Sequence, residues 1–479
     1  MLKTASYETV IGLEVHAELK TKSKIFCACP TAFGARPNTH CCPICMGLPG
    51  AMPTLNRRAV ELAVMAGLAL ECDVAEISRI DRKQYFYPDL PKAYQISQAD
   101  SPLCRGGAVT VKTDGGERRV GITRIHIEED AGKLIHENGR TLIDYNRCGV
   151  PLIEIVSAPD MRSGAEAVAY VRALRAILVS CGISDGKMQE GSLRCDVNIS
   201  VRRHGSEDLG VRTEIKNLNS FTFMEKAIEY EVRRQCELLE NGGEVRMETR
   251  RFDAVSGVTL PMRNKERVFD YRFLAEPDLP PICVTQEEIA RLRADLPELP
   301  VDRSARLVRD YALTPYDADL LTADPALAAY FELVATQTRY PKIAVNLLLS
   351  ELLRVCAVEG FTCAISPCRL AQLADLLGDG VINSSIGKKL LARLLSSDLD
   401  PVEVVNAEQL AQITDAAVLK NEILAVMQVS ARAVADYRAG KKSAMRALQG
   451  QIMARTGGRA EPRLLEKLLT DELDRSEKE

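Results

Sequence analysis

Residues 190–217 hold two stretches in which polar and apolar side chains alternate with period two, and this leaves few structural options. A strand sends successive side chains to opposite faces of a sheet. In the first stretch Leu193, Cys195, Val197, Ile199 and Val201 point one way, and Arg194, Asp196, Asn198, Ser200 and Arg202 the other. In the second, Val211, Thr213 and Ile215 alternate with Arg212, Glu214 and Lys216. A short loop carrying Gly205 and Gly210 separates them. One face of this sheet therefore mixes acids with bases.

An ordinary solvated sheet face accounts for any one strand of this kind. Recurrence argues for something more specific. Glu14 and His16 share a face opposite Leu13 and Val15; Arg124, His126 and Glu128 oppose Ile125 and Ile127. Glu154 opposes Ile153 and Ile155, on a face shared with apolar Leu152 and Val156. Placed in one sheet, these strands build a platform of carboxylates. Like charges gathered in a cleft repel unless a cation joins them. Oxygen ligands with an occasional imidazole favour Mg²⁺, which stays partly hydrated and shares itself with substrate phosphates. Interleaved Arg194, Arg202, Arg212 and Lys216 suit those phosphates, the arginines through bidentate forks. The expectation is an Mg-ATP site on an open sheet.

Around these strands the chain reads as α+β. Helical periodicity runs from Leu55 to Cys72, with Leu55, Ala59, Leu62, Ala63, Ala66 and Leu70 on one stripe. Ser163-Gly-Ala-Glu166 reads as a capping box opening a helix that stops at Gly182, and a further helix from Phe221 to Glu240 ends at Gly242-Gly243. Long helices between strands cover the apolar face and leave the other open. Near Pro277–Pro281 the character changes. From Thr285 onward helices are expected at Gln286–Ala294, Ser304–Ala312, Pro325–Thr336 and Ala344–Val358, with two more between Ser366 and Leu395 and a second helical unit from Pro401. Residues 81–98 combine Lys83, Lys92, Tyr85, Tyr87 and Tyr94 with two prolines; a lining of a polar pocket and a plain surface loop both fit.

Cys27-Ala-Cys29 and Cys42-Pro-Ile-Cys45 lie twelve residues apart, a spacing that suits a tetrahedral thiolate zinc site stapling Pro- and Gly-rich loops. Cys41 is the spare, or substitutes for Cys42. Four thiolates close the coordination shell, so a structural role is expected rather than a catalytic one. Fifteen cysteines scattered through 479 residues with no secretory signal point to a reducing compartment, and no apolar run is long enough to span a membrane. A cytoplasmic protein is expected.

The net charge of −4 excludes a global basic field for nucleic acid. Residues 430–467 are the basic exception, with nine Lys or Arg against three Asp or Glu. A solvated helix face and a phosphate-backbone surface both explain them. No P-loop and no G-x-G-x-x-G follows a strand; Gly440-Lys441-Lys442-Ser443 is only half a P-loop. Neither a Ser nor a Cys nucleophile stands in a triad setting.

Seven stretches together resemble the B subunits of aspartyl/glutamyl-tRNA amidotransferases: Glu8–His16, Asp81–Gln98, His126–Lys133, Pro151–Ser157, Glu190–Ser200, Glu214–Phe221 and Asp270–Leu279. The run from Gly450 to Leu469 resembles the same family's C-terminal module. The resemblance implies a glutamine synthetase-like cradle at 1–290, a helical domain at 291–400 and a helical tail at 401–479 that helps to hold tRNA. It implies ATP-dependent amidation of Glu on misacylated tRNA(Gln) or Asp on misacylated tRNA(Asn). Ammonia would come from a glutaminase A subunit, with a small C subunit bracing the pair in a heterotrimer. Positions matching the family's metal ligands are Glu14, His16, Glu128, Glu154, Asp196 and Glu214. Asp196 and Glu214 are expected on an ATP-associated Mg²⁺, and His16, Glu128 and Glu154 on a more permanent ion. Expected catalytic residues are Asp196, Glu214, Arg194 and Lys216; expected nucleotide contacts are Ser192, Arg194, Lys83 and Lys216. Zn²⁺ is assigned to Cys27, Cys29, Cys42 and Cys45, and tRNA contact to Lys441, Lys442 and Arg446. The rival from another class is a non-catalytic, zinc-stapled tRNA-binding subunit; a third reading is a ligase acting on a free amino acid.

Overall fold

The computed structural model describes residues 6–113, 115–262, 271–356 and 360–475. The chain divides into two compact units, one through Pro300 and one from Val301.

The first unit is built on a mixed sheet of ten strands among the described residues. In chain order they are β1 (Tyr7–Glu18), β2 (Asp73–Val74), β3 (Cys104–Arg105), β4 (Ala108–Thr113), β5 (Gly116–Glu129), β6 (Pro151–Ser157), β7 (Leu193–Arg203), β8 (Thr213–Lys216), β9 (Glu248–Asp253) and β10 (Val258–Pro261). Across the sheet they run β10-β9-β8-β7-β1-β6-β5-β3-β2, with β4 paired to β5. The β8–β9 pair is parallel; the other pairings described are antiparallel. Between β8 and β9 the chain crosses over through helix α3 (Phe221–Glu240), as a parallel pair requires.

Burial follows the alternation closely. From Leu193 to Ile199 in β7 every odd residue is buried and every even one is half-buried, and β1 does the same from Leu13 to Glu18. Helices α1 (Arg57–Ala69), α2 (Gly164–Ser180) and α3 cover the buried face. Leu62, Ala66, Tyr170, Leu174, Met224 and Ile228 pack with Leu13, Val15, Val197, Ile199 and Ile215 in one core, each large side chain contributing about 1.5–3 kcal/mol. The opposite face is half-exposed along β1 and β7 but buried along β6 and the end of β5, where His126, Glu128 and Glu154 are less than a tenth exposed.

Helix ends follow their caps. Asn56 accepts from Arg58 N at the start of α1, so this helix begins two residues later than the apolar stripe predicts. Ser163 accepts from Glu166 N at the start of α2, but the Glu166 carboxylate takes Arg162 N at 2.7 Å instead of returning to Ser163, so the predicted capping box is only half made. The β7–β8 turn needs Gly210, because a Cβ there would collide with the Val201 carbonyl.

Residues 81–98 form two short strands joined by a loop at 85–93. Asp81–Gln84 pairs antiparallel with Tyr94–Ser97 and with Leu274–Ala275, making a small separate sheet. Its polar strands alternate too weakly to be read from periodicity.

The second unit is helical. Its described helices run from Pro300–Tyr311 to Pro462–Arg475, and seven of them carry proline in the first turn, where the missing N–H costs nothing. Two hydrophobic clusters form within it, one from Leu307 to Val405 and one from Leu419 to Leu473. The helix predicted at Ala344–Val358 ends at Ser350, a short 3₁₀ turn follows, and Val358 lies outside the described residues. Pro315–Thr322 is an additional helix, too short for its periodicity to stand out.

Candidate active site

Strand register brings the polar side chains together on the open face. On the central strand β1, Glu14 stands opposite Asp196 of β7, and His16 stands opposite Arg194 of β7 and Glu154 of β6. Glu154 is in turn opposite His126 of β5, and Asn198 of β7 is opposite Glu214 of β8. Two clusters result. Ligand atoms of Glu14, Asp196 and Glu214 all lie within 4.8 Å of one another, and so do those of His16, Glu128 and Glu154.

The first cluster is balanced by Lys216, whose Nζ lies 2.8 Å from Asp196 Oδ2 and 2.9 Å from Glu214 Oε1. Burial works against the Lys216 charge, yet Asp196 and Glu214 outweigh it and raise its pKa. Burial and the neighbouring carboxylate of Glu154 push the Glu14 carboxyl up, against a hydrogen bond from Asn198 Nδ2 at 2.9 Å. Thr249 Oγ1 donates to Glu214 Oε2 at 2.9 Å.

In the second cluster His16 Nε2 lies 3.4 Å from both Glu128 and Glu154. Burial opposes protonation of His16, but these two acids prevail and raise its pKa to about 9. Burial pushes Glu128 up. Glu154 is also buried, but hydrogen bonding to His126 and His16 holds it well below the usual range. His126 Nε2 lies 3.4 Å from Glu154 and 3.9 Å from Glu128. It received no role from the sequence beyond its place on the polar face.

The predicted cations are placed unevenly. Arg194 Nη2 is tied to buried Asp130 at 2.7 Å. Lys83 sits 4.7 Å from the centre of the Tyr271 ring, and its charge favours ionised Glu128. The Ser192 hydroxyl is buried, donates to Asp185 and accepts from Lys187 N at 2.9 Å, so it is committed to the turn before β7. Arg202 pairs with Glu8 at 2.6 Å, and Arg212 is exposed in the turn before β8. In the helical unit Lys441 pairs with Asp436 at 2.7 Å and Arg446 is exposed; the Lys442 side chain lies outside the described residues, as does Asp270.

The sulfurs of Cys27, Cys29, Cys42 and Cys45 also fall within 4.8 Å of one another. Cys41 stands apart, its sulfur 4.0 Å from Asn146 Oδ1. The Cys45 thiol is held well below its ordinary value by the Cys27 thiol, against the effect of burial, with help from the Cys42 N–H and Lys24. Lys24 is 1% exposed, and its ammonium donates to His40 O at 2.8 Å and Tyr145 O at 3.3 Å, which ties two loops together beneath the cysteines. A cavity of about 200 Å³ adjoins this cluster and the buried Lys92–Glu129 pair, in which Nζ lies 2.7 Å from Oε2. Lys92 and Tyr94, from the segment read as a pocket lining or a surface loop, line this cavity, whereas sequence periodicity carries no sign of Lys24 or Glu129 in this role.

The donor sets fit the expected ions. Six groups, five carboxylates and one imidazole, form two compact clusters in which burial disfavours the charge of Glu14 and Glu128, and a divalent cation relieves that penalty. Four converging thiols fit zinc.

Comparison with known proteins gives the family. A model of the GatB/GatE catalytic domain matches residues 9–290, and a model described as the GatB domain matches residues 329–473. A protein of Caldicellulosiruptor saccharolyticus, named as the B subunit of an aspartyl/glutamyl-tRNA(Asn/Gln) amidotransferase, is 50% identical over 477 residues, 98% of this chain and 99% of the relative. The protein of the same name from Carboxydothermus hydrogenoformans is 50% identical over 475 residues, with the same coverage. The one from Thermodesulfovibrio yellowstonii is 46% identical over 467 residues, 97% of this chain and 98% of the relative. With the catalytic-domain match covering every residue of the two carboxylate clusters and identity running nearly the length of the chain, this protein belongs to the GatB/GatE family.

Proposed function

We propose that this chain is the amidating subunit of a tRNA-dependent amidotransferase, which converts Glu-tRNA(Gln), Asp-tRNA(Asn) or both to the amide. The observation that carries the reading is the pair of carboxylate clusters on one open sheet face, with Lys216 between Asp196 and Glu214. The first unit acts as a glutamine synthetase-like cradle, and the helical residues divide near 400 into a connecting domain and a tRNA-binding tail. The partners are a glutaminase subunit that supplies ammonia and a small bracing subunit, and the complex works in the cytoplasm.

A carboxylate is a poor electrophile. Its oxygen attacks the γ-phosphorus of ATP, ADP departs, and the resulting acyl phosphate has a good leaving group. Ammonia then attacks the carbonyl carbon, inorganic phosphate leaves, and a proton is lost to solvent. Asp196, Glu214 and Glu14 would hold one Mg²⁺, and His16, Glu128 and Glu154 the other. Such ions supply charge stabilisation for the phosphoryl oxygens. Lys216 adds a positive charge beside the same oxygens, and Lys83 one beside Glu128. Arg194, oriented by Asp130, presents its remaining N–H groups to the phosphates. Cys27, Cys29, Cys42 and Cys45 would hold Zn²⁺, which braces the loops around the cradle.

The test is a complex reconstituted with its glutaminase and small subunits and assayed on both misacylated tRNAs. Phosphate release that requires misacylated tRNA and Mg²⁺ together is expected; release indifferent to tRNA overturns the proposal. A second expectation concerns the tail. Charge reversal of Lys441, Lys442 and Arg446 lowers tRNA affinity and flattens the log–log salt dependence by about 0.9 for each phosphate no longer neutralised, taking the duplex value. An unchanged slope makes this a solvated helix face.

A further inference from the structure

The parallel strand β9 lies beside β8, with Glu214 opposite Thr249 and Ile215 opposite Arg250. On the open face the Thr249 hydroxyl donates to Glu214 Oε2 at 2.9 Å, while Glu214 Oε1 faces Lys216. The next side chain, Arg250, points through the sheet to the buried side and is 8% exposed. Its Nη1 pairs with Glu248 at 2.6 Å, its Nε donates to Thr259 Oγ1 at 2.9 Å, and its Nη2 donates to the Thr259 carbonyl at 2.8 Å. Arg250 Nε also lies 3.5 Å from Glu231 Oε2. Glu231 is fully buried on the inner face of α3, where it accepts from Arg234, Gln235 and Thr259.

A parallel pair joined by a long crossover has no tight turn to set its register. A slip of one residue would turn Thr249 inward and Arg250 outward. It would also take Arg250 and the Thr259 hydroxyl away from buried Glu231, leaving Arg234 and Gln235 as its partners. The buried contacts of Glu231 with Thr259 and Arg250 therefore favour the register that delivers a hydroxyl to Glu214.

We propose that Thr249 is a positioning residue for Glu214, held in place from beneath by Glu231 and Arg250. It fixes the carboxylate for a divalent cation and touches no substrate itself. The inference rests on the reading of Glu14, Asp196 and Glu214 as a cation site. The test titrates Mn²⁺ into the full chain, following free ion by electron paramagnetic resonance, for wild type, Thr249→Val, Thr249→Ser and Glu214→Gln. Glu214→Gln identifies the class of sites that depends on this carboxylate. Thr249→Val is expected to weaken that class about 10- to 100-fold, the usual effect of losing an outer hydrogen bond to a ligand. Thr249→Ser restores it, and all the variants melt at the wild-type temperature. Wild-type affinity in Thr249→Val, alongside a loss in Glu214→Gln, overturns the Thr249 proposal alone. Identical binding in wild type and Glu214→Gln overturns the cation site and the proposal with it. If the valine variant is unstable, Thr249→Ala supplies the same truncation and is judged by the same two outcomes.

Discussion

Asp196→Asn and Glu214→Gln are each expected to lower the rate of tRNA-dependent ATP cleavage by about 10²- to 10³-fold, the scale seen when one preorganised electrostatic group is removed. Both substitutions keep the size of the side chain and remove only the charge. Their side chains are 19% and 24% exposed, so the amides can be hydrated and the fold bears little of the change. Lys216 retains one carboxylate partner in each variant, so its ammonium does not become an unpaired buried charge. The expected signature is therefore a fall in turnover with tRNA affinity and melting temperature close to wild type. Turnover measured with saturating misacylated tRNA, together with filter binding of the same tRNA, checks it. Turnover near wild type in either variant refutes the assignment of these residues to the nucleotide-bearing cation. A parallel loss of tRNA affinity makes the acidic face a docking surface.

That signature depends on neighbours that the sequence reveals only in part. Alternation in residues 11–17, 122–130, 193–202 and 211–216 is enough to place Glu14, His16, Glu128, Asp196 and Glu214 on polar faces, because local composition records which side meets the apolar core. Glu154 shares its face with Leu152 and Val156 in a strand buried on both sides, and is marked only by standing opposite Ile153 and Ile155. Local pattern says nothing about which strands pair. The position of β1 between β6 and β7 is what sets His16 against Glu154 and Glu14 against Asp196, and it arises from pairings between segments more than a hundred residues apart. Thr249 is hidden for the same reason, since a parallel neighbour reached through α3 leaves no short-range signal. The small sheet at 81–84 and 94–97 is obscured by its own polarity. Ser192 shares a motif with Asp196, and the bonds of its hydroxyl to Asp185 and Lys187 in the turn before β7 are equally invisible to local pattern. Charge at a motif position is thus weaker guidance than the partner the fold supplies, as Arg202 shows by pairing with Glu8.

Cys45→Ser is expected to abolish tight zinc binding and to lower the stability of the first unit. Cys45 is the buried member of the four-sulfur cluster, and the Cys27 thiol, the Cys42 N–H and Lys24 favour its thiolate against burial. Serine offers a hard, poorly acidic hydroxyl in its place, so a soft-ligand site loses its anchor. In isolated zinc modules ion binding is worth about 10–16 kcal/mol and folding depends on it. Here the same loops are also tied by the Lys24 ammonium, which donates to the carbonyls of His40 and Tyr145, and by Phe26 in the main core. The loss in stability is therefore closer to that of a native cross-link, on the order of 2–5 kcal/mol. Lys24 adds a second consequence: with four thiolates around a divalent ion the cluster keeps net negative charge, and the buried ammonium offsets part of it, so Lys24→Met weakens zinc retention without touching a ligand. Cys41→Ser serves as the control, because that sulfur faces Asn146 and not the cluster. Zinc measured by atomic absorption after dialysis against a chelator, with melting temperature on the same samples, separates the cases. Full zinc in Cys45→Ser, or its loss in Cys41→Ser, assigns the ion to a different set of sulfurs.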